Sequence, residues 1–170
     1  MIIERPALSL PAMEALAREI SLWARPGLAL HLSGDLGAGK SAFARAFIRG
    51  LAPDDRDFDI PSPSFSLVQS YDALRVPVVH VDLYRIGSPT EVAELGLDEF
   101  LAKSLMIIEW PEKLPEYLSP DCLKISISGS GAARDLKLEA AGKWIEILKR
   151  DELIKGFVKQ SQVAGGTRYY

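Results

Sequence analysis

Eight residues constrain this chain more than any others: Gly34-Asp35-Leu36-Gly37-Ala38-Gly39-Lys40-Ser41. They match G-x-x-x-x-G-K-[ST], the loop that cradles phosphates in nucleoside-triphosphate-binding proteins. Their flanks fit the chemistry. Leu28 to Ser33 is a short apolar run that predicts a buried strand, and the stretch after Ser41 places Phe43, Phe47, Ile48 and Leu51 at helical spacing. A strand feeding a glycine loop feeding a helix aims backbone N–H groups and the positive end of the helix dipole at an anion. Glycine allows the close approaches and backbone conformations that a Cβ would block. In this pattern Lys40 neutralises the β- and γ-phosphates, and Ser41 offers its hydroxyl to Mg²⁺. Chance alone yields the motif in well under ~1% of chains of this length, with glycine near ~7% of residues.

The rest of the chain narrows the choice of partners. A length of 170 residues predicts one domain with a sizeable core. A formal charge of -3 supplies no basic field for phosphate backbones, which disfavours direct non-specific nucleic-acid binding. The single cysteine, Cys122, excludes an intramolecular disulfide and a cysteine zinc cage. It reads as a small apolar strand residue rather than a nucleophile, because no activating partner is identifiable. No apolar run approaches the ~20 residues of a membrane span, and the N-terminal residues do not form a signal peptide, so a soluble, cytoplasmic protein is expected.

Taken in order, residues 2–10 predict a strand that turns into a helix at Pro11. Met13, Leu16, Ile20 and Trp23 share one face of that helix, and Arg25-Pro26-Gly27 ends it. Asp54 to Asp59 is a charged connection, a solvated loop placed where a lid could lie. Ile60 to Ser66 is rich in proline and hydroxyls and reads as extended. Leu67–Tyr71 and Val76–Asp82 are further strands, and the second ends on a carboxylate in the manner of a Walker-B strand. His80 within it reads as a packing or hydrogen-bonding residue, with a general base as the alternative. Ser88-Pro89-Thr90-Glu91 is a capping box that opens a helix stopped by Gly96, and a second helix is expected from Leu97 to Ala102. Leu105–Ile108 is a buried strand that delivers Glu109 to the ligand-binding edge of an open α/β sheet. There Glu109 could hold Mg²⁺ directly or through water, or orient the attacking water. Leu123, Ile125 and Ile127, then Leu136, Leu138 and Ala140, alternate with polar residues around a turn at Gly129–Arg134. That pattern predicts an antiparallel hairpin with one wet face. Trp144, Ile145 and Leu148 open a last helix.

Several of these segments together resemble the TsaE (YjeE) family, P-loop ATPases of tRNA threonylcarbamoyladenosine synthesis. The matching stretches are Gly34–Ser41, Ser62-Pro63-Ser64-Phe65-Ser66-Leu67-Val68, His80-Val81-Asp82-Leu83-Tyr84-Arg85, Leu95-Gly96-Leu97 and Ile108-Glu109-Trp110-Pro111-Glu112. The resemblance covers roughly residues 5–150. It implies an α/β, P-loop NTPase-like three-layer sandwich with a mostly parallel central sheet and the C-terminal antiparallel hairpin. It implies a P-loop ATPase domain over residues 1–150; residues 151–170 lie outside the resemblance, and their own pattern is expected to give a helical extension and a disordered tail. It also implies that ATP is bound by Gly37, Ala38, Gly39, Lys40, Ser41 and Ala42, with Trp110 beside the nucleotide or packed in the core. Ser41, Glu109 and Asp82 are the implied Mg²⁺ residues; Lys40, Asp82 and Glu109 are the implied catalytic ones. The Ser62–Ser66 loop matches a switch-like segment near the γ-phosphate. Family partners are the TsaD and TsaB proteins, with tRNA reached only indirectly through their complex, and no membrane is involved. Two departures stand out: Ser41 and Ala42 replace a threonine pair, and Ser64 and Ser66 replace threonines.

The implied activity is a slow, Mg²⁺-dependent ATPase whose hydrolysis resets the TsaD–TsaB complex between turnovers. Arg85 is a candidate arginine finger or a structural salt-bridge residue. The alternative function is a small-molecule P-loop kinase. Such an enzyme needs an acceptor pocket and usually an arginine-rich lid, which the acidic 54–59 loop does not supply.

Overall fold

The computed structural model describes residues 1–53, 58–114 and 121–150. Those residues form β1 (Ile2–Ser9), α1 (Leu10–Ser21), β2 (Ala29–Ser33), α2 (Lys40–Arg49), β3 (Val68–Tyr71), β4 (Val78–Asp82), α3 (Pro89–Glu94), β5 (Leu105–Glu109), β6 (Cys122–Ser128), β7 (Ala133–Ala140) and α4 (Lys143–Arg150). The strands make one seven-stranded sheet in the order β1-β7-β6-β2-β5-β4-β3.

The expectation of a mostly parallel sheet needs correcting, because the sheet is mixed. The inner strands β6, β2, β5 and β4 run parallel. Both margins are antiparallel, through β1–β7 and β7–β6 on one side and β4–β3 on the other. Connection length explains this. Parallel neighbours need a crossover of a dozen or more residues, whereas only residues 72–77 separate β3 from β4 and 129–132 separate β6 from β7. The hairpin of β6 and β7 is present in the alternating form its sequence predicts, with Ile125 opposite Leu138 and Ile127 opposite Leu136.

Alternation along the strands divides the core into two faces. Leu30 and Leu32 of β2 meet Met13, Ala17 and Ile20 of α1, Phe43, Phe47 and Ile48 of α2, and Trp144 of α4. On the opposite face Ala29, Val79, Val81, Met106 and Ile108 pack with Val92 of α3 and Leu97. Helices therefore cover both faces of the sheet. Phe43 and Phe47 are completely buried, and each contributes about 2–3 kcal/mol of hydrophobic stabilisation that anchors α2 beneath the glycine loop.

Local chemistry sets the element ends. Ser9 caps α1 by accepting from the Ala12 N–H at 3.3 Å, with Pro11 in the first turn where no N–H is missed. Ser88 caps α3 by accepting from the Glu91 N–H at 3.3 Å, while the Glu91 carboxylate reaches the Gly87 N–H at 3.4 Å. β4 starts at Val78 rather than Val76, since Pro77 has no N–H to add to a ladder. The helix expected over 97–102 is only a 3₁₀ segment, Leu97–Phe100, entered through Gly96 at φ 60°. Residues 54–57 of the expected lid and the expected extension at 151–170 lie outside the described residues.

Register then positions the site. In the parallel ladder Asp82 pairs with Glu109, and Leu32, one residue before the end of β2, pairs with Glu109 from the other side. The glycine loop and both carboxylates thus emerge at the carboxyl edge of adjacent strands, where ligands bind in open α/β sheets.

Candidate functional site

A cleft of about 230 Å³ opens at that edge, lined among others by Gly37, Gly39, Lys40, Ser41, Ala42, Ser64, Asp82, Glu109 and Trp110. α2 begins at Lys40, directly after Gly39, whose φ of 115° is costly for any residue with a Cβ. The first turn of α2 therefore faces the cleft with backbone N–H groups that have no helical partner. Lys40 is 5% exposed, and its ammonium donates to the carbonyls of Gly34 at 2.6 Å and Asp35 at 2.8 Å. Burial lowers its pKa, opposed by the charges of Glu109, Asp82, Glu112 and Asp35. The same ammonium lies 4.0 Å from the centre of the Trp110 ring, a cation–π contact.

The carboxylates are held on two sides. Glu109, 2% exposed, accepts from the Ser41 hydroxyl at 2.9 Å through Oε2 and contacts His80 Nε2 at 2.9 Å through Oε1. An ionised carboxylate only accepts, so Nε2 carries the proton in that bond. Asp82 accepts from the Ser64 hydroxyl at 2.8 Å and from the Tyr84 N–H at 2.9 Å, and Ser64 is itself 2.8 Å from Ser62. Trp110 sits at φ 60°, rare for a bulky residue, and its N–H donates to Leu32 O at 3.2 Å. Its ring packs against Tyr84 with centroids 5.0 Å apart. Strain of this kind is concentrated at functional sites.

The structure brings Gly37, Ala38, Gly39, Lys40, Ser41, Ala42, Asp82, Glu109 and Trp110 together in or beside one cleft. Trp110 is partly buried: it packs against the second core face and also lines the cleft. Arg85 rests over the exposed Phe65 ring at 5.4 Å and makes no ion pair among the described residues. Tyr84 and Arg45 line the cleft without having been nominated.

The donor set can be tested against Mg²⁺. One hydroxyl and two carboxylates are hard oxygen ligands, which suits Mg²⁺ and not a softer metal. Among the described residues no group of three or more His, Cys, Asp or Glu side chains is disposed to hold a metal. That is consistent with an ion that keeps several waters and takes further oxygens from a substrate phosphate. The residues fit a phosphate-bound Mg²⁺ and do not form an all-protein cage.

Residues 8–136 match the family model described as "Threonylcarbamoyl adenosine biosynthesis protein TsaE". The chain belongs to the TsaE family. The TsaE protein of Bacillus subtilis is 34% identical over 137 residues, 79% of this chain and 84% of that one. The TsaE protein of Rickettsia conorii is 38% identical over 112 residues, 66% of this chain; the chain spans only 63% of that relative's length. The crystal structure of Bacillus subtilis YdiB superposes with a TM-score of 0.66 at 26% identity, covering 95% of this chain and 97% of that one. The family match spans the glycine loop, β4, β5 and most of the hairpin, so all the cleft residues of this TsaE member fall inside it.

Proposed function

We propose that the cleft binds ATP with Mg²⁺ and hydrolyses it, and that the protein serves threonylcarbamoyladenosine modification of tRNA. The observation that carries the reading is the meeting of Lys40, Ser41, Asp82 and Glu109 in one cleft. Lys40 and the N–H groups of the α2 N-terminus bind the phosphates. Ser41, Glu109 and Asp82 would hold Mg²⁺, which when bound neutralises charge on the phosphoryl oxygens. His80 fixes Glu109 from behind, and Ser64 with the Tyr84 N–H fixes Asp82, so neither carboxylate must be ordered during the reaction. Trp110 and Tyr84 shield the phosphate lysine from water and strengthen its electrostatics.

In-line phosphoryl transfer asks mainly for positioning and charge neutralisation. Arg45 lines the cleft, while Arg85, the candidate finger, rests over Phe65 and does not line it; the activity proposed is a low intrinsic rate raised by partners. TsaD and TsaB are the proposed partners, with tRNA reached only through them in the cytoplasm. No described helix is long and apolar enough to cross a membrane.

The test is phosphate release from ATP, with the protein alone and with TsaD and TsaB added. Stimulation by the partners that disappears in Glu109→Ala supports the reading. Lys40→Ala should abolish measurable ATP binding; unchanged affinity in that variant would overturn the site assignment.

A further inference from the structure

Beyond its nominated residues, the phosphate loop is held from behind by parts of the chain far away in sequence. Arg134, at the start of β7, donates from Nε to the Ala38 carbonyl at 2.7 Å, across 96 residues. Its Nη1 donates to the carbonyls of Gly131 at 2.9 Å and Ala133 at 3.0 Å, which tie the same guanidinium to its own hairpin turn. Two close approaches complete the support. A Cβ on Gly34 would lie 2.2 Å from the Ile127 carbonyl oxygen of β6, and one on Gly39 would lie 3.1 Å from the Met13 methyl of α1. The loop is pressed against β6 at Gly34 and against α1 at Gly39.

We infer that Arg134 is a positioning residue that sets the orientation of the Ala38–Gly39 peptide for phosphate binding. The geometry follows from the planar trans peptide, in which C=O and the next N–H point in opposite directions. Holding the Ala38 carbonyl towards Arg134 turns the Gly39 N–H away from the hairpin, and Gly39 lines the cleft. Glycine at 39 is free to rotate, with φ 115°, so this peptide needs an external hold to keep one orientation. Arginine suits the task because its rigid planar fork presents Nε and Nη1 donors in fixed directions, one to the loop carbonyl and one to the turn carbonyls. A lysine's donors instead radiate from one point on a flexible stem. Arg134 bonds to none of the three metal-binding candidates, Ser41, Asp82 and Glu109, and lines no part of the cleft, so its action is indirect.

This inference rests on the cleft being a phosphate site, and the experiment separates the two. ADP binding is measured by calorimetry, with and without MgCl₂, for the full chain, Arg134→Ala, Arg134→Lys and Asp135→Ala, alongside thermal melts. Asp135 accepts from the Ala7 N–H at 2.7 Å and steadies the hairpin without touching the loop. Arg134→Ala should weaken ADP binding about tenfold and move the Gly39 amide resonance in the ligand-free protein. Arg134→Lys should recover part of the affinity. Asp135→Ala should lower the melting temperature while the Kd stays within twofold. If Arg134→Ala does not fold, Arg134→Lys decides: a Kd raised threefold or more at an unchanged melting temperature supports the inference, and an unchanged Kd overturns it. Native protein that binds ADP, together with an Arg134→Ala Kd within twofold of it, overturns this inference alone. Native protein that fails to bind ADP overturns the phosphate-site reading and this inference with it.

Discussion

Replacing His80 with alanine removes, among the described residues, the side chain that holds Glu109 from the core side. His80 is completely buried, and Glu109 is 2% exposed, so water cannot replace the lost partner. A hydrogen bond to a charged group contributes about 1.5–3 kcal/mol. Truncating a buried ring to alanine adds a cavity cost, and together the loss should be about 3–5 kcal/mol. For a chain of this size each kcal/mol lowers Tm by about 2–4 °C, giving a drop of about 6–20 °C. His80→Gln separates the two contributions, because its amide nitrogen can donate to Oε1 where alanine cannot. It should recover at least ~1.5 kcal/mol of the loss. Urea unfolding and thermal melts of the three proteins measure this directly, with equal m-values confirming a common unfolded reference. His80→Gln no more stable than His80→Ala, or His80→Ala costing under ~1 kcal/mol, would show that the Glu109 contact is not what His80 supplies. Among the described residues the other ring nitrogen, Nδ1, is buried with no hydrogen-bond partner, so the Glu109 bond is the ring's one polar contact there.

Two further outcomes follow from the fold. His31, in β2, has its pKa lowered from 6.5 to about 4 by burial and by the nearby Lys124 charge. The unfolded chain therefore binds the proton more readily, so stability falls as pH drops from about 6.5 to 4 and then levels, by up to about 3 kcal/mol. His31→Leu should flatten that part of a Tm-versus-pH curve, and an unchanged slope would remove His31 from the account. Trp144 is completely buried and donates from its indole nitrogen to the Ala29 carbonyl at 3.0 Å. Trp144→Phe keeps most of the apolar contact but loses that hydrogen bond, while the Ala29 carbonyl stays within the β2–β6 ladder, so the cost should be about 0.5–1.5 kcal/mol, or about 1–6 °C in a melt.

Much of the cleft is legible in local sequence. The glycine loop carries its own geometry, and Asp82 and Glu109 each end an apolar run, which places them on the ligand edge without further information. What joins them is not local. His80 and Asp82 share a face of β4 by the two-residue period, but that His80 meets Glu109 depends on the β4–β5 register, across 29 residues. Ser64 reaches Asp82 only because Leu67, at φ 64°, turns the proline-rich segment back over the strand end. Neither a positive φ at leucine nor one at Trp110 is announced by residue type, since both are set by tertiary contacts. The same limit explains the mixed sheet. Hydrophobic alternation identifies strands but not their neighbours, and β1, first in the chain, pairs with β7, the last described strand.

The pairing of β2 with β5 and β6 has a consequence for biosynthesis. When the glycine loop leaves the ribosome, the carbonyl of Ile127 and the guanidinium of Arg134 that it leans on have not been made. At ordinary elongation rates those roughly ninety further residues take about 5–20 s to appear. Until β5 is made, β2 is an apolar strand with neither neighbour in place, the kind of unpaired edge that invites association with other chains. Nucleotide present in the cell then cannot template the site early. The loop is completed last by its support, and a chain interrupted before β5 leaves β2 unpaired on both sides without gaining the site that this strand carries.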